Sequence, residues 1–319
     1  MLYEHVQFRL IDYIGDIALV DFEYKGALIK APLPGLDDPE GDSVPSGLPP
    51  VIDAHVHLFP DWLFEPIWQW FDTFGWPVRY QMGAEEIIEF LTAHGIKKIV
   101  GLHYAHKPGV AGKLNSFMAG LCRRYPQLVG TATVYPGEEG AVKLLTDAFE
   151  SGLSAVKLHS HVQCFDMDSH GMHAVYAVCQ KDKKPLIMHV GREPKSPAYP
   201  CDPYELCGVE KVERVIRDYS SLKVCVPHLG ADEFAEFREL LEKYDNLWLD
   251  TTMVLCDYLP GIEVPPLDTF RQDRIMFGTD FPNIPFAWDR ELKTLIGFNL
   301  SDDYLEAILY KNAAVLFSI

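Results

Sequence analysis

The residues best equipped for chemistry are four histidines, a lysine and an aspartate, each at or near the end of a short apolar run. His55 and His57 close Val51-Ile52-Asp53-Ala54-His55-Val56-His57, which Phe59-Pro60 then breaks. On a strand, residues two apart share a face, so the two imidazoles project side by side while Val56 faces the other way. Downstream, Lys157 lies in Ser154-Ala155-Val156-Lys157-Leu158-His159, and His189 ends Pro185-Leu186-Ile187-Met188-His189. His228 ends Val224-Cys225-Val226-Pro227-His228, and Asp280 ends Ile275-Met276-Phe277-Gly278-Thr279-Asp280. Imidazoles with a carboxylate suit Zn²⁺, and Mn²⁺, Fe²⁺ or Ni²⁺ accept similar ligands.

The elements that must position these groups are eight short apolar runs, at 51–57, 97–103, 128–134, 154–159, 185–190, 222–228, 246–251 and 274–280. Helix-period segments separate most of them, at Glu85–His94, Leu114–Arg124, Ala141–Ser151, His173–Lys181, Val209–Tyr219 and Glu233–Tyr244, and Asp302–Phe317 closes the chain. The interval 252–273 holds three prolines and gives the weakest helical pattern. Alternating strand and helix units predict a (β/α)₈ TIM barrel over 51–319, with a doubly wound sheet as the alternative. In a barrel, the C-terminal strand ends meet at one mouth, which would gather all six groups.

Residues 1–31 alternate apolar and polar around Gly15-Asp16 and Lys25-Gly26, predicting a small N-terminal β extension of two or three antiparallel strands. Residues 32–50, rich in Pro, Gly, Asp and Ser, read as a linker, so the division falls at 1–50 and 51–319. The stretch 58–82 reads as a long aromatic loop, either a wall over the site or a contact in a homodimer.

With 28 basic and 46 acidic residues, the formal charge is −18. Such a surface repels phosphate backbones and anionic lipid, so neither nucleic acid nor membrane is expected as a partner, and a small-molecule substrate is. The seven cysteines are scattered without a C-x-x-C pair, which points to reduced thiols and a cytoplasmic protein.

The chain resembles the amidohydrolase superfamily, in the branch of metal-dependent barrel hydrolases that also contains aromatic-acid decarboxylases. The resemblance is carried by Asp53-Ala54-His55-Val56-His57, Val156-Lys157-Leu158-His159, His189, His228, Gly278-Thr279-Asp280-Phe281-Pro282 and Asn312-Ala313-Ala314. It implies a barrel, one or two divalent metal ions (Zn²⁺ first) and a metal-activated water. In the one-metal form, favoured here, His55, His57, His189 and Asp280 are the ligands. Lys157 joins them only if carboxylated in a two-metal site, and otherwise lines the barrel or binds substrate. Asp280 would take the water's proton and pass it to the leaving group, while His228 would bind a second metal or polarise a carbonyl. The expected activity is hydrolysis of a C–N or C–O bond of a small molecule. The alternative is non-oxidative decarboxylation of an aromatic or unsaturated acid. Arg192, just after the fifth run, is a candidate bidentate grip on a carboxylate, and His103 and His159, at the ends of the second and fourth, are further substrate contacts. A single candidate clamp tilts the expectation to hydrolysis.

Overall fold

The structure is a computed structural model that describes residues 9–14, 17–24, 27–32, 38–192, 199–256 and 266–319. Three antiparallel strands come first: β1 (Arg9–Ile14), β2 (Ile17–Tyr24) and β3 (Ala27–Pro32), in that order. They match the alternation of the sequence, and the two turn signals between them lie outside the described residues.

Eight parallel strands follow: β4 (Val51–His57), β5 (Ile96–Leu102), β6 (Leu128–Ala132), β7 (Ala155–His159), β8 (Leu186–His189), β9 (Val224–Val226), β10 (Leu247–Asp250) and β11 (Ile275–Met276). Each pairs with its neighbours in chain order. All seven residues of β4 are buried, as expected for a strand covered on both faces. The seam between first and last strands closes through Ala54 N–H to the Phe277 carbonyl (2.9 Å), His57 N–H to Phe281 (2.7 Å) and Asp280 N–H to His55 (3.0 Å). The chain is a (β/α)₈ barrel.

The helices are α1 (Asp61–Phe74), α2 (Ala84–Ala93), α3 (Ala111–Arg124), α4 (Ala141–Glu150), α5 (Ser160–Gln163), α6 (His170–Lys181), α7 (Pro203–Leu206), α8 (Val209–Asp218), α9 (Phe234–Lys243), α10 (Arg290–Gly297), α11 (Asp302–Glu306) and α12 (Asn312–Phe317). Spacing and caps explain them locally. In α8, Val212, Val215 and Ile216 are the buried face, at i, i+3 and i+4. Ser169 caps α6 and Ser301 caps α11 through their hydroxyls. A π-helical turn at Ala307–Lys311 joins α11 to α12, giving the closing helix read from sequence. Inside the barrel, Ile52, Val100, Val129, Ile187, Trp248 and Met276 pack together with Leu316 and Phe317 of α12.

Three stretches differ from the sequence reading. The expected loop 58–82 contains a helix, α1, whose Asp61, Glu65, Gln69 and Asp72 share one face at helical spacing; Pro66 inside it and the density of aromatic residues mask that period. The interval 252–273 holds only short 3-10 turns at Val254–Cys256, Leu267–Thr269 and Gln272–Arg274 among the described residues, and 257–265 lie outside them. Pro266, lacking an N–H, directly precedes the second of these turns. The stretch read as a linker is pinned to the barrel where it is described. Arg79 donates to the Asp38 carbonyl (2.7 Å), the Trp288 indole to the Gly41 carbonyl (3.2 Å), and Val44 N–H to the His94 carbonyl (2.7 Å). Among the described residues, no helix is long and apolar enough to cross a membrane.

Candidate active site

At the barrel mouth, Asp280 draws the first and last strands together. Its Oδ1 lies 3.0 Å from His57 Nε2 and 3.3 Å from His55 Nε2. His55, His228 and Asp280 each offer a ligand atom within 4.8 Å of the others, and all three are buried. Lys157 Nζ, wholly buried, sits 3.4 Å from His55 Nε2. His189 reaches the group through His228, with Nδ1 3.1 Å from His228 Nε2. His189 also belongs to a second buried group with His159 and His161. There it stacks on His159 with ring centres 3.9 Å apart and planes 12° from parallel. Two parallel imidazoles cannot both hold one ion in their ring planes, so the His55 group is the better cation site.

The backbone at this point is unusual. Asp280 (φ 69°) and His228 (φ 56°) both occupy the left-handed region, which side chains other than glycine rarely adopt. Strain of this kind persists where surrounding contacts enforce it, and it gathers at functional sites. Gly278 lies just below: a Cβ there would come 2.3 Å from Thr252 Oγ1 and 2.8 Å from His55 Cβ, so only glycine lets the strand end approach β4.

The electrostatics favour neutral imidazoles facing an ionised carboxylate. Burial holds His55 well below the ordinary imidazole value, reinforced by Lys157 and the neighbouring rings. Burial also lowers His57, against the opposing pull of Asp280. Burial alone would raise Asp280, but His57, His228 and Lys157 bring it below the usual carboxylate range. His55 Nδ1 donates to Asp250 Oδ2 at 3.0 Å, which leaves Nε2 as a lone pair directed at the Asp280 oxygen. Lys157 Nζ, 3.4 Å from that nitrogen, supplies one positive charge beside the pair. The donor set of imidazoles and one carboxylate fits a divalent first-row ion.

The family model described as Amidohydrolase matches residues 52–319. The chain belongs to the amidohydrolase family. Among curated protein sequences none matches it. Of solved structures, a 5-carboxyvanillate decarboxylase from Novosphingobium aromaticivorans, complexed with manganese and 4-hydroxy-3-methoxy-5-nitrobenzoic acid, is similar at 16% identity with TM-score 0.62, over 88% of this chain and 99% of that one. An uncharacterised TIM-barrel protein from Bordetella bronchiseptica gives 22% and 0.63, over 84% and 98%. A 2,6-dihydroxybenzoate decarboxylase from Rhizobium gives 15% and 0.57, over 85% and 99%.

In this amidohydrolase the cluster opens into a cavity of about 550 Å³. His57, His159, His189, His228 and Asp280 line its floor, and Phe59, Tyr104, Tyr199 and the rings of α1 line its walls. Arg192 and His103 are not among its described lining residues. The Arg192 side chain instead meets Glu233 (3.4 Å) and Glu210 (3.8 Å). His103 is fully buried, and burial pushes its imidazole down to about 3, with the Asn115 side chain and the Thr131 backbone opposing that shift.

Two groups that the sequence reading did not assign to the site support it from behind. Asp250 holds His55 through Oδ2 and accepts the His228 N–H at Oδ1 (3.1 Å), fixing two site histidines with one carboxylate. Its signal was available, because Asp250 ends its strand as His189 and Asp280 end their runs. Asp53 accepts the Thr279 hydroxyl (2.6 Å) and the backbone N–H groups of Thr279 (3.2 Å) and His55 (3.1 Å), bracing the seam.

Proposed function

We propose that this chain is a metal-dependent, non-oxidative decarboxylase of an aromatic carboxylic acid. The observation that carries this reading is the cavity, whose aromatic walls lead down to a carboxylate and several imidazoles. The similarity to two aromatic-acid decarboxylases supports it. One divalent ion per chain, Mn²⁺ or Zn²⁺, would be held by His55, His57, His189 and Asp280, and would supply positive charge to bind the substrate carboxylate and an adjacent oxygen.

The remaining steps fall to the side chains. The walls hold the ring flat and exclude water, and a carboxylate loses CO₂ more readily as its charge spreads into a ring in weakly polar surroundings. The bond between ring carbon and carboxyl carbon breaks, CO₂ departs, and the electron pair stays on the ring. A proton that Nε2 of His228 takes up from solvent then passes to that carbon, balancing the loss of CO₂ and returning the ring to its neutral form. His228 is suited to this because Nδ1 is fixed on the Thr252 carbonyl (2.9 Å), which leaves Nε2 to exchange the proton. Asp280, held ionised, stays a ligand.

Hydrolysis of a C–N or C–O bond is the second reading, with Asp280 accepting a proton from water. It is favoured by one observation: the described lining residues include no arginine to grip a carboxylate. Both readings are tested together by assaying CO₂ release from hydroxybenzoates beside an ester, lactone and amide panel, with Mn²⁺ and with Zn²⁺. CO₂ release is expected. Turnover confined to the hydrolytic panel overturns the proposal.

A further inference from the structure

We infer that the cavity has a tail subsite along α1: beyond the ring bearing the reacting carboxylate, the substrate carries a second, uncharged ring. This deepens the decarboxylase reading and rests on it. The first observation is length. Trp62, Pro66, Trp70 and Phe74, four residues apart, all face the cavity, with Ile67 and Phe71 beside them. At 1.5 Å per residue, that face runs about 18 Å, well beyond the reach of one ring and its carboxylate at the floor. A cavity of about 550 Å³ also falls within the range that takes drug-sized ligands rather than a lone ring.

The second observation is exposure. Trp62 and Phe74, at the two ends of the helix, are 51% and 42% exposed, although large rings gain from being covered. Trp70 stacks on Tyr199 with ring centres 5.6 Å apart, continuing the aromatic wall from α1 toward His161 and the floor. The third is charge. Lys107, the one lysine or arginine among the described lining residues, follows β5, and α1 itself carries three acidic residues and no lysine or arginine, so a tail lying along it meets no partner for a second anion.

Isothermal titration of the full-length protein as purified tests this with three acids lacking the adjacent oxygen needed for turnover. Biphenyl-4-carboxylate is expected to bind at least about tenfold tighter than benzoate, which corresponds to burying one more ring face. Biphenyl-4,4′-dicarboxylate should lose that gain. Trp70→Ala should close the gap, and Trp70→Phe should keep most of it. Equal affinity for the one-ring and two-ring acids overturns the subsite, as does a gap that Trp70→Ala leaves intact. If the gap is absent and sedimentation shows that Trp62→Asp splits a dimer, a second copy covers α1 and the inference falls. Tight two-ring binding alongside hydrolysis and no CO₂ release keeps the subsite and removes the decarboxylase reading.

Discussion

A carboxylate gains its character here from what surrounds it, and three buried acids illustrate this. Asp280 faces imidazoles and a lysine and is held ionised despite burial. Asp280→Asn keeps the shape but removes the charge, so turnover should fall by at least about 10³-fold while much of the metal stays bound; a kinetic assay paired with metal analysis checks this. Asp250 acts through His55, orienting the ring and fixing its tautomer. Asp250→Asn should weaken metal binding roughly 10–100-fold, measured by competition with a chelator of known affinity, and unchanged binding would remove Asp250 from the site. Glu291 is wholly buried with the Cys256 thiol donating to it, and burial pushes its carboxyl up to about 8 from 4.5. Below pH 4.5 it is protonated in folded and unfolded chains alike. Between 4.5 and about 8 only the unfolded chain ionises, so folding stability falls as pH rises through that window. Glu291→Gln should flatten this slope and stabilise the protein at pH 9 by up to roughly 4 kcal/mol, read from urea unfolding at pH 5, 7 and 9.

At the scale of elements, the strand ends were the most legible feature of the sequence. Val51 to His57 and Pro185 to His189 carry both an apolar run and a polar terminus, and in a barrel those termini share one rim. The same rule covers Asp250, which carries no motif and was passed over for that reason. Helix α1 was hidden because Trp62, Phe64, Trp68, Trp70 and Phe71, with Pro66 among them, crowd a period that only Asp61, Glu65, Gln69 and Asp72 mark. Arg192 and His103 mark a different limit. Sequence places each beside a strand end, but their direction depends on tertiary partners such as Glu233 and Asn115. The contact between β11 and β4 yields a prediction of its own. Gly278→Ala would force a methyl against Thr252 and His55, costing about 1–3 kcal/mol of stability and lowering metal affinity together. A variant with wild-type melting temperature and metal affinity would show that the strand ends have room to part.

For the molecule as a whole, the proposed ion links distant strands, so its removal should be felt beyond the site. Chelation should lower the melting temperature, and Mn²⁺ or Zn²⁺ should restore it, by about 2.7 kcal/mol at a hundredfold excess over Kd. A melting curve indifferent to chelator would mean that the ligand set binds no ion in the folded state. The net charge of −18 adds a background of self-repulsion, which salt relieves, so these scans belong at fixed ionic strength.

The seam also bears on how the chain is made. Asp53 and Thr279, hydrogen-bonded to each other, are 226 positions apart. On the ribosome, His55 emerges long before the segment that supplies Asp280, so no nascent chain possesses a working centre until that distant segment has been made. Contacts between such remote segments form slowly, and the two-residue ladder of β11 gives the late arrival little purchase. An ion captured at that moment would act as the latch on the newborn barrel.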